Sequence, residues 1–267
     1  MITFLAGILV IGLHFLASIS IAKIHFSAHK TTVKVLNFYL SLRLEFTGHF
    51  PDIIGLILNI MDLSNAHKAH PWHGISLGDK VPEEVRAFIE IVPTDTVKYE
   101  VDKESGYLSL DRPQKFSNIV PSLYGFLPRT YCGPKMAELT NKALVRFDIE
   151  GDGDPLDVCV LTEKDVTHGD IIVNARPIGG LRLLDHNQAD DKIIAVLKND
   201  AVYGAITDIE QVPSGIIRRL IHYFSTYKDI PGEHTNRMKF ISIYNADVAR
   251  DIIMRSIEDY SNLIKEL

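Results

Sequence analysis

Three short β-strands are predicted by residues 86–112, which read RAFIEIVPTDTVKYEVDKESGYLSLDR. Strand-favouring residues fill Arg86–Val92 and Val97–Asp102, and the Pro-Thr-Asp sequence between them is typical of a turn. A glycine-containing turn then leads into a third strand, Tyr107–Arg112, which ends before a proline. The second and third strands are therefore predicted to form a hairpin.

The middle strand of this stretch has one ionic side and one apolar side. Because side chains alternate along a strand, Lys98, Glu100 and Asp102 project to one side, and Tyr99 and Val101 project to the other. This alternation predicts that the first side faces a polar site, while the second side packs against the core.

Further strands and two helices follow toward the C-terminus. Three more short strands are predicted, at Pro155–Leu161, Ile171–Pro177 and Ile193–Leu197. Ser214 and Asn245 are suitable N-caps for two helices, the second of which runs to about Ile264. Many short strands followed by terminal helices predict a mainly β fold with α: a closed five-stranded OB-like β-barrel flanked by helices, in the α+β class.

Residues 1–60 differ in composition from the rest of the chain. The stretch Ile2–Ala22 is almost wholly apolar and about long enough to cross a bilayer, and positive charge follows it rather than precedes it. Three interpretations stay open: a membrane anchor, an organelle-targeting segment, or sequence upstream of the true initiator, Met61. The chain is thus divided into an N-terminal extension, 1–60, and a functional domain, 61–267.

Composition excludes several classes of function. The chain has 267 residues, 46% of them hydrophobic, which is enough for a globular domain with a substantial core. Its net charge of −6 argues against a basic face for duplex DNA. The two cysteines, Cys132 and Cys159, lack the spacing of a zinc site or a disulfide framework, so a reducing cytoplasm is the expected location.

Five carboxylates fall within ten positions in the segment Asp148–Asp157. Like charges at this density are costly without a counter-ion, although an acidic surface turn is a simpler interpretation. A calcium-binding EF-hand is excluded because Cys159 stands at the twelfth position, where a bidentate glutamate is needed. Hard oxygen ligands favour Mg²⁺ or Mn²⁺, and Mg²⁺ commonly shares its ligand shell with substrate phosphates. The segment therefore predicts a phosphate compound as substrate.

The heptapeptide that begins at Asp152, Asp-Gly-Asp-Pro-Leu-Asp-Val, resembles the signature of the family I soluble inorganic pyrophosphatases. The resemblance runs from about His70 through Lys228, includes nothing before Met61, and is greatest to the bacterial, chlamydia-like branch. It implies a Mg²⁺-dependent enzyme, with Mn²⁺ as a possible substitute, that hydrolyses pyrophosphate to two phosphates. It also implies a homo-oligomer.

The same resemblance assigns roles to individual residues. Asp154 would be the general base. Metal ions would be held by Asp152, Asp157, Asp185 and Asp190, and by Glu90 and Glu100 through bound water. Phosphoryl oxygens would be held by Lys98, Arg112, Tyr124, Lys192, Tyr227 and Lys228.

Loops are predicted at three places. Asn187–Asp191 and Pro231–Asn236 are polar and are expected to be exposed. Arg129–Phe147 is interpreted as a loop that is longer than in the simplest family members. Val120 stands four positions before Tyr124, where bacterial relatives often have an aromatic residue, so the substrate loop is expected to differ in detail.

Two other classes of function stay open. One is a metal-dependent phosphohydrolase of a different substrate. The other is a non-catalytic OB-like module for single-stranded nucleic acid, against which the negative charge and the clustered aspartates argue. The expected partner is pyrophosphate, without nucleic acid, and a membrane only if residues 1–22 are a real anchor.

Overall fold

The computed structural model describes residues 68–115, 117–229 and 238–266. Its strands are β1 Val85–Ile91, β2 Val97–Val101, β3 Leu108–Pro113, β4 Leu123–Phe126, β5 Glu150–Gly151, β6 Asp157–Leu161, β7 Ile171–Asp185, β8 Gln188–Ala189, β9 Lys192–Leu197 and β10 Met238–Asn245. Its helices are α1 Pro134–Leu144, α2 Ser214–Thr226 and α3 Ala246–Glu266, with a short 3₁₀ turn at Ile209–Gln211.

Five strands form a closed ring in the order β1-β4-β6-β9-β7, and β7 pairs back with β1. All neighbours in the ring are antiparallel except β6 and β9, which are parallel. The ring closes because β7 is 15 residues long: its first part pairs with β1, its middle with β9 and its end with β10. The predicted fold class, a closed five-stranded arrangement with flanking helices, is confirmed.

Two helices cover the sheet with apolar stripes at helical spacing. In α2 the buried positions include Ile217, Leu220 and Phe224. In α3, Ile252 and Ile253 are fully buried and pack in the same cluster as the inward residues of β1 and β6. The predicted cap of α3 is confirmed, because the Asn245 side chain accepts a hydrogen bond from the Val248 amide at 3.1 Å. The predicted cap of α2 is wrong: Ser214 is the first helical residue, the N-cap position is Pro213, and no side chain caps this end.

The predicted hairpin is confirmed as a separate two-stranded sheet of β2 and β3. It is attached to the ring by the Val101 amide, which donates a hydrogen bond to Glu90 Oε1 of β1 at 2.7 Å. Val101 is buried and Tyr99 is half-buried, as the alternation predicted. Asp102 does not join the ionic site, since its carboxylate accepts hydrogen bonds from Ser105 in the turn.

Two of the predicted loops are wrong. Most of Arg129–Phe147 is the helix α1, which begins with Pro134 in its first turn and buries Met136, Ala137 and Thr140. The stretch Asn187–Asp191 contains β8, and its last three residues, Ala189, Asp190 and Asp191, are buried. The two buried carboxylates form ion pairs with residues of neighbouring strands, and the polarity of the segment alone does not predict these pairs.

Other differences concern strand limits and the ends of the chain. The strand predicted to stop at Pro177 continues to Asp185, and both β4 and β10 escaped prediction. Residues 1–60 and the whole of the predicted loop Pro231–Asn236 lie outside the described residues. Within the described parts of the chain, none of the helices is long and apolar enough to cross a bilayer.

Gly125 of β4 lies directly against the backbone of β1. A Cβ atom at this position would lie 1.9 Å from the carbonyl oxygen of Phe88. We therefore expect Gly125→Ala to lower the free energy of unfolding by about 3 kcal/mol, measured by urea denaturation. The control is Gly215→Ala in the first turn of α2, where a Cβ meets nothing within 4 Å. That variant is expected to be neutral or slightly stabilising, and equal effects of the two substitutions would contradict the steric explanation.

Candidate active site

A cavity of about 190 Å³ lies between the strand ring, the β2–β3 hairpin and the end of α2. It is lined by all but one of the residues that the sequence predicted for the site: Glu90, Lys98, Glu100, Tyr124, Asp152, Asp154, Asp157, Asp185, Asp190, Lys192, Tyr227 and Lys228. The exception is Arg112, which pairs with Lys98 across the hairpin and forms an ion pair with Asp111.

The loop that carries the aspartates is braced by the backbone of Cys132. The Cys132 amide donates to the Asp154 carbonyl at 2.8 Å, and the Gly153 amide donates to the Cys132 carbonyl at 3.1 Å. Gly153 has a φ of +76°, which a residue without a side chain adopts at little cost. Within the loop, Asp152 Oδ1 accepts the Asp154 amide at 3.0 Å. These contacts hold both carboxylates at the cavity wall.

Lys192 is the central cation of the cavity and is only 2% exposed. It begins β9 directly beside Asp157, which begins β6 in the parallel register. Its ammonium forms ion pairs with both Asp157 and Asp190. Burial works against its charge, but the two carboxylates raise the pKa of Lys192 well above its usual value. Lys192 is therefore held as a buried cation.

Tyr124 and Asp157 are linked by a hydrogen bond. The Tyr124 hydroxyl donates to Asp157 Oδ2 at 2.6 Å, from the neighbouring strand β4. Burial and the charge of Asp157 raise the pKa of this hydroxyl far above its usual value, so Tyr124 is a proton donor at neutral pH. The rings of Tyr124 and Phe224 also lie 6.0 and 5.7 Å from the Lys192 ammonium.

The cavity contains more carboxylates than lysines: seven acidic side chains and four lysines are among its lining residues. Burial, followed by the charge of Asp190, raises the pKa of Asp152 to about 8. This surplus of oxygen donors fits a hard divalent cation, which would offset the repulsion. In this structure the Lys192 ammonium offsets the charge of Asp157 and Asp190. Among the described residues, no group of three acidic, histidine or cysteine side chains is placed to hold a metal ion.

The other predicted cations line the wall in ion pairs. Lys98 Nζ lies 2.8 Å from Glu100 and 3.2 Å from Asp111, so the predicted ionic side of β2 is confirmed for Lys98 and Glu100. Lys228 Nζ lies 2.5 Å from Asp185. Although burial opposes it, this ion pair lowers the pKa of Asp185.

Lys103 and Trp72 are among the residues of the cavity wall that the sequence interpretation missed. Lys103 forms an ion pair with Asp154, and the ring of Trp72 lies 6.0 Å from the Lys103 ammonium. Lys103 belongs to the segment that carries the resemblance at Lys98 and Glu100, so the signal was present there. Trp72 is the single tryptophan of the chain and lies in a short segment with no strand or helix pattern.

Glu90 is buried in the cavity wall, and burial raises its pKa to about 8. Its folded-state pKa lies above the unfolded value, so folding favours its protonated form and stability falls as pH rises from about 4.5 to 8. We expect Glu90→Gln to be more stable than wild type in metal-free buffer, with a gap that grows from pH 5 to pH 8 to on the order of 2 kcal/mol. Urea unfolding at several pH values measures this. A gap that is independent of pH would contradict the assignment.

A closed strand ring with lysines and clustered carboxylates around one small cavity is an arrangement suited to a hydrolase of small phosphate compounds. The family model for inorganic pyrophosphatase matches residues 87–261. The chain is 50% identical to an inorganic pyrophosphatase of Chlamydia muridarum, over 73% of this chain and 95% of that protein. It is 48% identical to that of Chlamydia caviae, over 72% of this chain and 91% of the relative. The chain belongs to the inorganic pyrophosphatase family.

A solved structure agrees with this assignment. The inorganic pyrophosphatase from Thermus thermophilus superposes with a TM-score of 0.61 and 30% sequence identity, covering 72% of this chain and 99% of that chain. The enzymes of the family are metal-dependent hydrolases, and the predicted family and activity are confirmed.

Proposed function

We propose that this chain hydrolyses inorganic pyrophosphate to two phosphates with Mg²⁺, and that the cavity residues do so in the roles given below. The observation that carries the proposal is one small cavity lined by both clustered aspartates and four lysines. Its volume of about 190 Å³ suits a compact polyanion. Cavities that hold larger organic ligands are typically roughly 300–1,000 Å³.

Mg²⁺ would be held by Asp152, Asp157 and Asp190, with Asp185 as a further ligand and Glu90 and Glu100 acting through water. Mn²⁺ has the same preference for oxygen donors and would substitute. When bound, the metal neutralises substrate charge and makes a water molecule more acidic. It would compete with the Lys192 ammonium for the same carboxylate oxygens, which would leave Lys192 available to a phosphoryl oxygen.

Asp154 would accept the proton of the attacking water. The water oxygen forms a bond to one phosphorus atom, the bridging P–O bond breaks, and the second phosphate leaves with the bridging oxygen. The Asp154 side chain is 45% exposed, so water can reach it. The negative charge of substrate and leaving phosphate would be stabilised by a group of donors that also includes Arg112 at the hairpin: Lys98, Lys192, Lys228, Tyr124 and Tyr227.

Phosphate release by the full chain tests the proposal. The substrates are pyrophosphate, tripolyphosphate, ATP and p-nitrophenyl phosphate, each with Mg²⁺ and with Mn²⁺. We expect kcat/KM for pyrophosphate to exceed that for each of the other three by at least about 100-fold with Mg²⁺. Equal or faster hydrolysis of ATP would favour a phosphohydrolase of another substrate. Release from none of them, by a folded protein that binds the metal, would favour a binding module.

We also propose a cytoplasmic homo-oligomer. Both described cysteines are free and buried, which suits a reducing compartment. At the C-terminal end of α1, Val145 and Phe147 are 84% and 96% exposed, which suits contact with a second copy of the chain. Sedimentation equilibrium of wild type and Phe147→Ser tests this: an unchanged mass would contradict a role for Phe147.

A further inference from the structure

Lys103 holds the carboxylate of Asp154. Its ammonium forms an ion pair with Asp154 Oδ1, and the side chains of the two residues are 52% and 45% exposed. Among the described residues, Lys103 is the only hydrogen-bond donor to this carboxylate. Oδ2 is therefore available to a water molecule. The orientation of the partly exposed Asp154 carboxylate therefore depends on its contact with Lys103.

Lys103 lies in a tight turn, which fixes where its side chain begins. The Gly106 amide donates to the Asp102 carbonyl at 2.8 Å, and the Asp102 carboxylate accepts the Ser105 amide at 2.7 Å. Gly106 has a φ of +73° and so closes the turn in the left-handed region. The backbone of Lys103 is thus held at the end of β2, next to the cavity.

His70 packs on this turn from outside the hairpin. A Cβ on Gly106 would lie 2.7 Å from His70 Cδ2, so the ring fills the space that the glycine leaves. His70 Nδ1 lies 3.2 Å from the Trp72 amide and 3.3 Å from the His73 amide, and it accepts from both. In a neutral ring the proton is then on Nε2, which donates to the Lys103 carbonyl at 3.2 Å.

Residues 70–72 are also linked to the loop that carries Asp154, the other partner of the ion pair. Trp72 Nε1 donates to the Thr130 carbonyl at 2.8 Å, and the Thr130 hydroxyl accepts the Leu156 amide at 2.9 Å. Leu156 lies two residues after Asp154 in the aspartate loop. Residues 70–72 thus connect the turn of Lys103 to the loop of Asp154. They lie before residue 87, where the match to the family model begins.

We propose that Lys103 is a positioning residue for the Asp154 carboxylate and that His70 holds Lys103 in place, an inference that rests on the proposed role of Asp154 as general base. Lys103 keeps Oδ1 occupied and so directs Oδ2 toward the attacking water. His70 acts only through the turn, without touching the substrate.

Steady-state kinetics of full-chain variants with pyrophosphate and Mg²⁺ test the proposal. Lys103→Met is expected to lower kcat roughly 10- to 100-fold while KM changes by less than about 3-fold, since the general base is misplaced but substrate binding is kept. Lys103→Arg, which keeps the cation, is expected to retain at least about a third of the wild-type kcat. The control is Lys164→Met, an exposed lysine that forms an ion pair with its neighbour Glu163, and it should change neither constant.

A double-mutant cycle tests the link to His70. His70→Ala is expected to lower kcat roughly 3- to 10-fold, and the double variant His70→Ala with Lys103→Met should be no slower than Lys103→Met alone. Independent, multiplied losses would show that His70 acts through general stability. A higher KM with unchanged kcat in Lys103→Met would show that Lys103 binds substrate and would overturn the positioning role.

Crystal structures of wild type and Lys103→Met separate this inference from the proposed function. We expect the Asp154 carboxylate to turn away from its wild-type orientation in the variant, and an unchanged orientation would overturn the inference whatever the activity. If wild type fails to hydrolyse pyrophosphate, the proposed function is wrong. The orientation of Asp154 in the two crystals still decides whether Lys103 positions it.

Discussion

Asp154→Asn is expected to lower kcat for pyrophosphate hydrolysis by roughly 1,000-fold, because an amide cannot accept the proton of the attacking water. The fold should be unchanged. The Asp154 side chain is partly exposed, and the hydrogen bonds that hold the loop use its backbone amide and carbonyl rather than its carboxylate. Phosphate release with Mg²⁺ measures the loss, and circular dichroism confirms folding.

The control for this variant is Asp165→Asn, at an exposed aspartate outside the cavity lining. It should keep wild-type activity. Asp157→Asn is expected to lose activity for a different reason, since Asp157 contacts both Lys192 and Tyr124 and is a proposed metal ligand. If Asp154→Asn retained more than about a tenth of wild-type kcat, a different residue would have to serve as the base.

Lys192→Met is expected to have the largest effect on stability, about 3–5 kcal/mol lower in the free energy of unfolding. Lys192 is almost fully buried and is the shared counter-charge of Asp157 and Asp190, so its removal leaves both carboxylates without compensation. Urea denaturation in metal-free buffer measures the loss. Added Mg²⁺ should restore part of the stability if the same carboxylates bind the ion.

Lys164→Met is the matched control, because its exposed side chain contributes at most about 0.5 kcal/mol. A Lys192→Met variant as stable as this control would show that the ion pairs of Lys192 with Asp157 and Asp190 do not stabilise the folded, metal-free protein.

The hairpin and the aspartate cluster were predictable because their signals are local. Alternation along β2 was enough to place Lys98 and Glu100 together, and the spacing of glycine and proline marked the loop that presents Asp152 and Asp154. The helices α2 and α3 were predictable for the same reason, α2 from apolar periodicity and α3 also from its Asn245 cap.

The features that escaped prediction depend on tertiary contacts that the polarity of a short segment does not show. Asp190 and Asp191 lie in a polar stretch but are buried, because Lys192 and Arg182 compensate their charge. The helix α1 begins at Pro134 of Cys132-Gly133-Pro134, a sequence that resembles a turn in isolation, and α1 packs on α3. The resemblance covers the segment of Lys103, but its pairing with Asp154 was overlooked because the two residues are 51 positions apart.

The contact between Asp157 and Lys192 in the cavity depends on the parallel register of β6 and β9. Asp157 and Lys192 are direct partners at the start of the two strands, 35 residues apart in sequence. A slip of one residue would put Ile193 beside Asp157 and turn the lysine to the opposite face of the sheet. A misaligned chain would then bury a carboxylate next to an apolar side chain. The ion pair between Asp157 and Lys192 therefore forms only when β6 and β9 are aligned in this register.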